Sequence, residues 1–387
     1  MKNIIAKEVY VLIVRLFSVL FRGKKLKNKI SYLMSFPKND NGFIKALLKE
    51  VPNVELVVFY TPNVEEEAKK LEMQRVKVVP LYNKIEFIKK TIHEMSESKV
   101  VICDNYFPIL AGFLPKRGVS IMQIWHANGA IKKFGLEEKS INKKTWFDKK
   151  RYKQVYNTFD EYIVGSEMMG EVFKRSYGAS EDQIKLLGNP RTDAYLNITT
   201  VKRQEEKFYS VYPELKNKKI ILYAPTYRNI YNEDYPLDIE ALYQNFKDDY
   251  VLLFRTHPHS ETEVINKKYQ GFCYSNLNEF GIDSLLPVTD ILITDYSSIP
   301  FDFTLLENAK QIIFYCYDLD EYAEKQGIQK DFLEWVPGDI VYKTSEIIKV
   351  IKANKYTDYS DFNLNWNKYN DGKSIQRLIE YLSKKFV

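Results

Sequence analysis

His126 stands where an apolar, strand-like run ends, in the segment Gln-Ile-Trp-His-Ala-Asn-Gly that begins at Gln123. An imidazole titrates near neutral pH, so a histidine at the end of a strand can serve as a general base. A structural role is the alternative for any single histidine. The chain contains only four histidines, and His126 is therefore the first candidate for acid–base chemistry.

Two further segments that follow apolar runs carry groups suited to a phosphate. Thr226 and Arg228 come after a proline turn, and a guanidinium offers several donors in fixed geometry; an ordinary turn with a surface arginine is the alternative. His257 and His259 are spaced as metal ligands could be, but no cysteine or acidic partner lies at a recognised spacing. A phosphate-facing His257 is favoured over a zinc site.

The segment from Asp290 to Phe303 joins a strand-like run to a predicted helix through Thr294, Asp295, Ser297 and Ser298. A serine cap would leave backbone N–H groups and the positive end of the helix for an anion, which predicts a diphosphate site. Capping alone is the alternative. The sequence has no G-x-G-x-x-G, P-loop or G-x-S-x-G motif, so direct group transfer is favoured over dinucleotide redox chemistry or P-loop hydrolysis.

Continuous apolar runs alternate with charged, helix-patterned stretches, which is typical of parallel strands buried on both faces and predicts an α/β protein. Ligands of such sheets bind beyond the carboxyl ends of the strands, where these segments lie. The polar segment 194–218 is the predicted linker between two doubly wound domains. Nine strands are predicted, at residues 30–35, 55–59, 99–103, 120–125, 161–164, 219–223, 250–255, 290–293 and 311–315.

The charge of the chain lies at one end. The 387 residues have a formal net charge of +6, yet residues 1–29 hold eight basic residues against the single acid Glu8, so the rest is nearly neutral. A polyanion-binding surface, and with it nucleic-acid binding, is disfavoured. Three widely spaced cysteines give no disulfide framework and suit a reducing cytosol.

An apolar stretch at residues 9–21 is too short to cross a membrane and lacks the cleavage site of a secretory signal. At 100° per residue Lys7, Arg15, Ser18 and Arg22 share one stripe. This pattern predicts an amphipathic helix lying in the headgroup layer of an anionic membrane. A first helix packed on the protein's own core is the alternative.

Five motifs follow one another along the chain: WHANGAIKKFG from Trp125, GNPRTDAY from Gly188, ILYAPTYR from Ile221, RTH ending at His257 and ITDYSSIPFDF from Ile293. Together they resemble the CDP-glycerol glycerophosphotransferase family of teichoic acid synthesis. Residues 366–372 are similar to the closing motif of that family, and the resemblance spans about residues 30–385. Trp-His-Ala-Asn-Gly, the tract CDNYF that contains Asp104, and KKFGLE resemble its primase branch more than its polymerases.

The resemblance implies a GT-B fold, with two Rossmann-like domains facing a cleft and His126 across that cleft from His257 and Ser297. The expected organisation is a membrane-surface segment at 1–29, an acceptor-side domain at 30–197, a CDP-glycerol-binding domain at 198–355, and a C-terminal helix at 356–387 that crosses back to the first domain.

The implied reaction is attack by a hydroxyl of undecaprenyl-diphosphate-linked N-acetylmannosaminyl-N-acetylglucosamine on the β-phosphorus of CDP-glycerol, with release of CMP. His126 would be the base, Asp104 would orient it, and His257 would assist catalysis. Acceptor contacts are expected from Asn128, Gly129 and Lys132. Donor contacts are expected from Asn189, Pro190, Arg191, Thr226, Arg228, His257, Thr294, Asp295, Ser297 and Ser298.

The resemblance also implies no cofactor and no essential metal, and a peripheral location on the cytoplasmic face of the bacterial cell membrane. Expected partners are CDP-glycerol, the lipid-linked disaccharide and an anionic membrane, without nucleic acid; other teichoic acid enzymes or a second copy of the chain stay open. The alternatives are a teichoic acid glycerol phosphate polymerase and a GT-B glycosyltransferase with another nucleotide donor. A non-catalytic scaffold is disfavoured because both motif histidines are intact.

Overall fold

The computed structural model describes residues 2–40, 42–74, 76–226, 236–255, 267–275, 277 and 279–386. These residues divide into two units. Unit 1 takes residues from 1–128, 134–193 and 368–387, and unit 2 takes residues from 129–133 and 194–367. The chain thus changes unit after residues 193 and 367 rather than at the predicted 197 and 355, and a five-residue segment of unit 2 interrupts unit 1.

Unit 1 contains a seven-stranded parallel sheet with strand order β3-β2-β1-β4-β5-β6-β7. The central strands are buried on both faces, as their unbroken apolar runs predict. The strands are β1 (Lys27–Met34), β2 (Glu55–Tyr60), β3 (Lys77–Pro80), β4 (Ser98–Cys103), β5 (Ser120–Gln123), β6 (Glu161–Val164) and β7 (Ile184–Leu186), and the helices are α1 (Lys2–Phe21), α2 (Phe43–Glu50), α3 (Glu65–Glu72), α4 (Ile85–Glu97), α5 (Trp146–Tyr156) and α6 (Glu167–Tyr177).

Unit 2 contains a six-stranded parallel sheet with strand order β10-β9-β8-β11-β12-β13. Two parallel sheets flanked by helices confirm the predicted α/β class. The strands are β8 (Lys219–Tyr223), β9 (Tyr250–Phe254), β10 (Cys273–Tyr274), β11 (Ile291–Thr294), β12 (Gln311–Tyr315) and β13 (Asp339–Val341). The helices are α7 (Asp193–Leu196), whose first residue belongs to unit 1, α8 (Ile198–Val211), α9 (Ile239–Phe246), α10 (Ile282–Leu285), α11 (Ile299–Phe303), α12 (Leu319–Lys325), α13 (Phe332–Trp335), α14 (Thr344–Ala353) and α15 (Ser360–Trp366).

The chain returns to unit 1 through its last helix, α16 (Ser374–Ser383). The carboxylate of Asp193 accepts hydrogen bonds from the backbone N–H groups of Ser374 (3.0 Å) and Ile375 (2.8 Å), which are two of the unpaired donors at the start of this helix. Leu378 is buried in the core of unit 1. The preceding helix α15 packs on unit 2 instead, so only the end of the predicted 356–387 segment returns.

Helix α1 packs on unit 1 along one side only. Val14 is fully buried, and the Ser18 hydroxyl accepts a 2.8 Å hydrogen bond from the backbone N–H of Leu114. Gly112 permits this packing, because a Cβ there would lie 2.5 Å from the carbonyl oxygen of Val11. The predicted polar stripe therefore faces the protein in part, and the apolar side faces outward. Across the described residues no helix has the length and hydrophobicity that a membrane crossing requires.

Candidate functional site

The turn that carries His126 is set by the residue before it. Strand β5 ends at Gln123, and Trp125 has a φ of 56°, in the left-handed region that bulky residues avoid. The Gln123 side chain accepts a hydrogen bond from the Trp125 N–H (2.9 Å), and the Asn39 amide donates to the Trp125 carbonyl (2.8 Å). Backbone strain of this kind costs about 1–3 kcal/mol and persists where the surroundings hold it.

The imidazole of His126 is fixed in orientation and in tautomer. Its Nδ1 lies 2.8 Å from the backbone carbonyl oxygen of Asp104. A carbonyl only accepts, so Nδ1 is the protonated nitrogen of the neutral ring, and Nε2 carries the basic lone pair. The rings of Phe36 and Trp125 stack on the imidazole, each with a centroid distance of 4.2 Å. The arrangement is that of a positioned general base.

The carboxylate of Asp104 is engaged elsewhere. It accepts hydrogen bonds from the backbone N–H groups of Ser35 (2.8 Å) and Phe36 (2.9 Å) and from the Ser35 hydroxyl (2.9 Å). Burial raises the pKa of this carboxyl group to about 6, against the opposing effect of these donors. Asp104 was predicted to orient the imidazole; the structure shows contact through its carbonyl, while its carboxylate holds the loop whose Phe36 stacks on His126.

The residues predicted to bind the acceptor fall on both units. Asn128 is buried in unit 1, whereas Gly129 and Lys132 belong to the five-residue segment of unit 2. Gly129 lies against the Phe301 ring, where a Cβ would come within 2.2 Å of a ring carbon. Lys132 forms a β-bridge with Ile328 and is an exposed residue. Close packing explains the glycine, and acceptor binding by these residues stays a prediction.

In unit 2, Asp295 ties together the carboxyl ends of the neighbouring strands β8 and β11. Its Oδ1 accepts hydrogen bonds from the Thr226 N–H (2.8 Å), the Thr226 hydroxyl (2.6 Å) and the Tyr296 N–H (2.6 Å). The buried Thr294 hydroxyl donates to the carbonyl of Ala224 (2.8 Å). Three predicted donor-binding residues therefore shape the sheet edge, with Thr226 at its surface.

The N-terminus of the helix that follows β11 is a weaker anion site than the sequence predicts. The Ser297 hydroxyl accepts a long hydrogen bond from the Ile299 N–H (3.3 Å), and Ser298 makes no capping bond with its side chain. Helix α11 has only five residues. So short a helix contributes little dipole, because the macrodipole is a sum over aligned peptide units. An anion at this edge would depend on hydroxyl groups and cationic side chains.

A group of polar side chains that the sequence reasoning did not single out lies at the same edge. The Tyr195 hydroxyl donates a hydrogen bond to the carboxylate of Asp283 and lies 3.5 Å from that of Asp302. Burial lowers the pKa of Arg255, with Asp283 and Tyr195 acting in the opposite direction, and its Nη1 is buried with no hydrogen-bond partner in the described part of the chain. Tyr195, Arg255 and Asp302 each lie in one of the five family motifs. Their place in these motifs is the sequence feature that could have identified them.

The other predicted donor-binding residues belong to unit 1 or lie outside the described residues. Asn189, Pro190 and Arg191 are buried in unit 1, where the Asn189 N–H donates to the Asn370 side chain (2.8 Å). Arg228 and His257 fall outside the described residues. Among the residues that are described, no cluster of three His, Cys, Asp or Glu side chains could hold a metal ion.

Comparisons with known proteins agree with one another. The family model "CDP-Glycerol:Poly(glycerophosphate) glycerophosphotransferase" matches residues 17–384. The chain is 34% identical to a teichoic acid glycerol-phosphate primase of Bacillus subtilis (strain 168), covering 92% of each chain. It is 30% identical to one of Staphylococcus aureus (strain NCTC 8325 / PS 47), covering 99% of each. The fold is similar to that of the wall teichoic acid polymerase TagF, with a TM-score of 0.75 and 21% identity over 100% of this chain and 98% of that one.

Proposed function

Because the chain belongs to the CDP-glycerol:poly(glycerophosphate) glycerophosphotransferase family, and is therefore an enzyme of teichoic acid biosynthesis, we propose that it performs the priming step. It transfers glycerol phosphate from CDP-glycerol to a hydroxyl of undecaprenyl-diphosphate-linked N-acetylmannosaminyl-N-acetylglucosamine and releases CMP. The alignment with glycerol-phosphate primases along nearly the whole chain supports priming over polymerisation.

The main support for the proposal is the fixed orientation and tautomer of His126. The acceptor oxygen forms a bond to the β-phosphorus of CDP-glycerol, its proton passes to Nε2 of His126, and the bond from that phosphorus to the bridging oxygen breaks, so that CMP leaves with the electron pair. A base already held in the required tautomer contributes about 10²–10⁴-fold to such a step. A sugar hydroxyl needs this help because it is a weak nucleophile at neutral pH.

In this proposal unit 2 binds the donor, unit 1 binds the acceptor, and the two form a GT-B architecture. Thr226, Ser297 and Arg255 lie at or beside the carboxyl ends of β8, β11 and β9 and supply donors for the diphosphate. The predicted Arg228 and His257 would add to them. Preorganised donors in an enclosed site are worth roughly 3–4 kcal/mol each when they face developing charge.

The outward side of α1 supports a peripheral place on the cytoplasmic membrane surface. Six apolar side chains within an arc of about 100° are each 47–65% exposed, and we call them the α1 face: Ile5, Val9, Leu12, Leu16, Val19 and Leu20. Burying them in a headgroup layer would yield roughly 1 kcal/mol or more each. Exposed Arg15, Arg22, Lys24 and Lys25 would add attraction to anionic lipid of about 1 kcal/mol each.

The test is incubation of the protein with CDP-glycerol and the lipid-linked disaccharide, followed by mass spectrometry of the lipid product. One added glycerol phosphate is expected, and none with the His126→Ala variant. A ladder of glycerol phosphates would show a polymerase instead. Transfer from CDP-ribitol or a UDP-sugar, without transfer from CDP-glycerol, would contradict the proposed donor.

A further inference from the structure

An apolar groove of about 640 Å³ runs along the flank of α1 that adjoins the α1 face. Ile13 of α1 and Ile85 and Ile88 of α4 line it, together with the rings of Tyr106 and Tyr152. Its volume lies within the range of about 300–1,000 Å³ that is usual for ligand sites. All of its walls belong to unit 1.

The charged side chains that line the groove are neutralised by one another and by Glu8 beside it. Lys7 forms an ion pair with Asp148 (3.1 Å), and Arg151 pairs with both Asp148 and Glu8. A hydrogen bond from Thr145, aided by Lys7 and Arg151 against burial, lowers the pKa of Asp148 to about 2, so its charge persists at neutral pH. A phosphate would meet a balanced set of charges here, whereas an uncharged hydrocarbon would meet mainly aliphatic and aromatic walls.

Two lining residues, Val9 and Tyr106, connect the groove to the α1 face and to the segment that holds His126. Val9 belongs both to the groove lining and to the α1 face, so an apolar chain could pass from a membrane into the groove without crossing water. Tyr106 lies two residues after Asp104, whose carbonyl holds His126. The intervening Asn105 is fixed by a 3.0 Å hydrogen bond from the Gln123 side chain to its carbonyl.

We propose that this groove binds the part of the acceptor's polyprenyl chain nearest to its diphosphate, which places the acceptor sugar near His126. The inference rests on the proposed function for the identity of the lipid. At the ~30 Å³ that a water molecule occupies, the groove has room for roughly 20 non-hydrogen atoms, or about four five-carbon units. The remainder of the chain stays in the membrane.

The test uses a twenty-carbon polyprenyl monophosphate that bears a photoreactive diazirine on its chain. Labelling is expected on peptides of α1, α4 and the Tyr106 region in the full-length protein. Ile13→Trp fills the groove from a partly buried position outside the α1 face, and Ile85→Trp does so from an exposed one. Each is expected to cut labelling about tenfold, the equivalent of about two buried methylene groups. The control is Met73→Trp, which adds the same ring at an exposed site elsewhere in unit 1.

Three outcomes of the labelling experiment would overturn the groove assignment. These are unchanged labelling in both groove variants, equal loss in Met73→Trp, and equal competition by a diacyl phospholipid, which would show a general lipid site. Binding is measured without turnover, so a protein that labels as expected but transfers no glycerol phosphate would refute the proposed function and leave the groove intact. Turnover that is normal on the full lipid in both groove variants would refute the groove alone.

Discussion

The backbone carbonyl oxygen of Asp104 lies 2.8 Å from Nδ1 of His126 and determines which imidazole nitrogen carries the proton. Because the acceptor is part of the main chain, this hydrogen bond does not depend on the ionisation of the Asp104 carboxyl group. In a carboxylate–histidine pair, the basicity of Nε2 would change when the carboxyl group titrates. Here the carboxyl group of Asp104 can titrate without breaking the hydrogen bond to the imidazole.

Replacing the imidazole should remove the base and leave the donor site. His126→Ala is expected to lower kcat by about 10²–10⁴-fold or more, while CDP-glycerol binding measured by calorimetry stays within about twofold. His93→Ala is the matched control, since His93 lies on α4 with its ring against Phe21. Normal turnover in His126→Ala would remove His126 from the mechanism.

The buried carboxyl of Asp104 should make stability depend on pH. Its pKa is raised from 3.8 to about 6 by burial, so between these values the folded state holds a proton that the unfolded chain has released. Stability from this group therefore increases as the pH falls from 7 to 4, by about 3 kcal/mol at most. Urea unfolding across this range should show the increase in the wild type, relative to Asp104→Asn.

The difference between the wild type and Asp104→Asn reports the contribution of Asp104 alone, because the similarly raised pKa of Asp40 is present in both proteins. Asp104→Asn keeps the backbone carbonyl, so kcat should fall by less than about tenfold, in contrast to the ~10⁴-fold loss seen where an Asp→Asn change alters a catalytic histidine's tautomer. The assignment of the raised pKa to Asp104 would be contradicted if the free energy of unfolding changed with pH in the same way in both proteins. The role of the backbone carbonyl would be contradicted if Asp104→Asn lowered kcat by about 10⁴-fold.

The strands that sequence patterns predicted and those that they missed differ in position. The nine predicted strands correspond to the interior strands of both sheets, whose residues are almost all buried. The four missed strands, β3, β7, β10 and β13, are the four sheet edges. An edge strand is short and partly exposed, so it carries no continuous apolar run for a periodicity argument to detect.

The sequence predicts site residues that directly follow a strand. It does not predict contacts between residues that are far apart in the chain. His126 and Thr226 follow buried strands, and the sequence places them there. Nothing local to Asp104 indicates that its carbonyl rather than its carboxylate meets the imidazole. Likewise the packing of Gly129 on Phe301 joins residues far apart in the chain, which spacing cannot reveal.

Arg255 should contribute to donor affinity. Its Nη1 is buried without a hydrogen-bond partner in the described part of the chain, and Arg255 follows the end of β9, which pairs with β8. A hydrogen bond to a charged group is worth about 1.5–3 kcal/mol, so Arg255→Met should raise the KM for CDP-glycerol about 10–100-fold, with partial recovery in Arg255→Lys. Arg203→Met on α8 is the control. Equal KM values in all four proteins would exclude Arg255 from the donor site.

The contact of Gly129 with Phe301 should appear as coupling between the two positions. Gly129→Ala would force its Cβ against the ring and cost about 1–3 kcal/mol of stability. Phe301→Leu makes room but loses packing against Trp366. The double variant should therefore be more stable than the sum of the single changes predicts, by roughly 0.5–3 kcal/mol in thermal or urea unfolding. Additive effects would show that the ring yields to the new methyl group.

The α1 face should bind membranes through both apolar burial and charge. Leu12→Glu with Leu16→Glu removes two exposed leucines and places negative charge against anionic lipid, so co-sedimentation with anionic vesicles should weaken about 10-fold or more. Met73→Glu, at an exposed position on the same unit, controls for the added charge. Wild-type binding should also fall as salt is raised, because Arg15, Arg22 and Lys24 contribute a screened attraction. If the double variant bound vesicles as well as the wild type, or if wild-type binding did not change with salt concentration, another surface would hold the protein at the membrane.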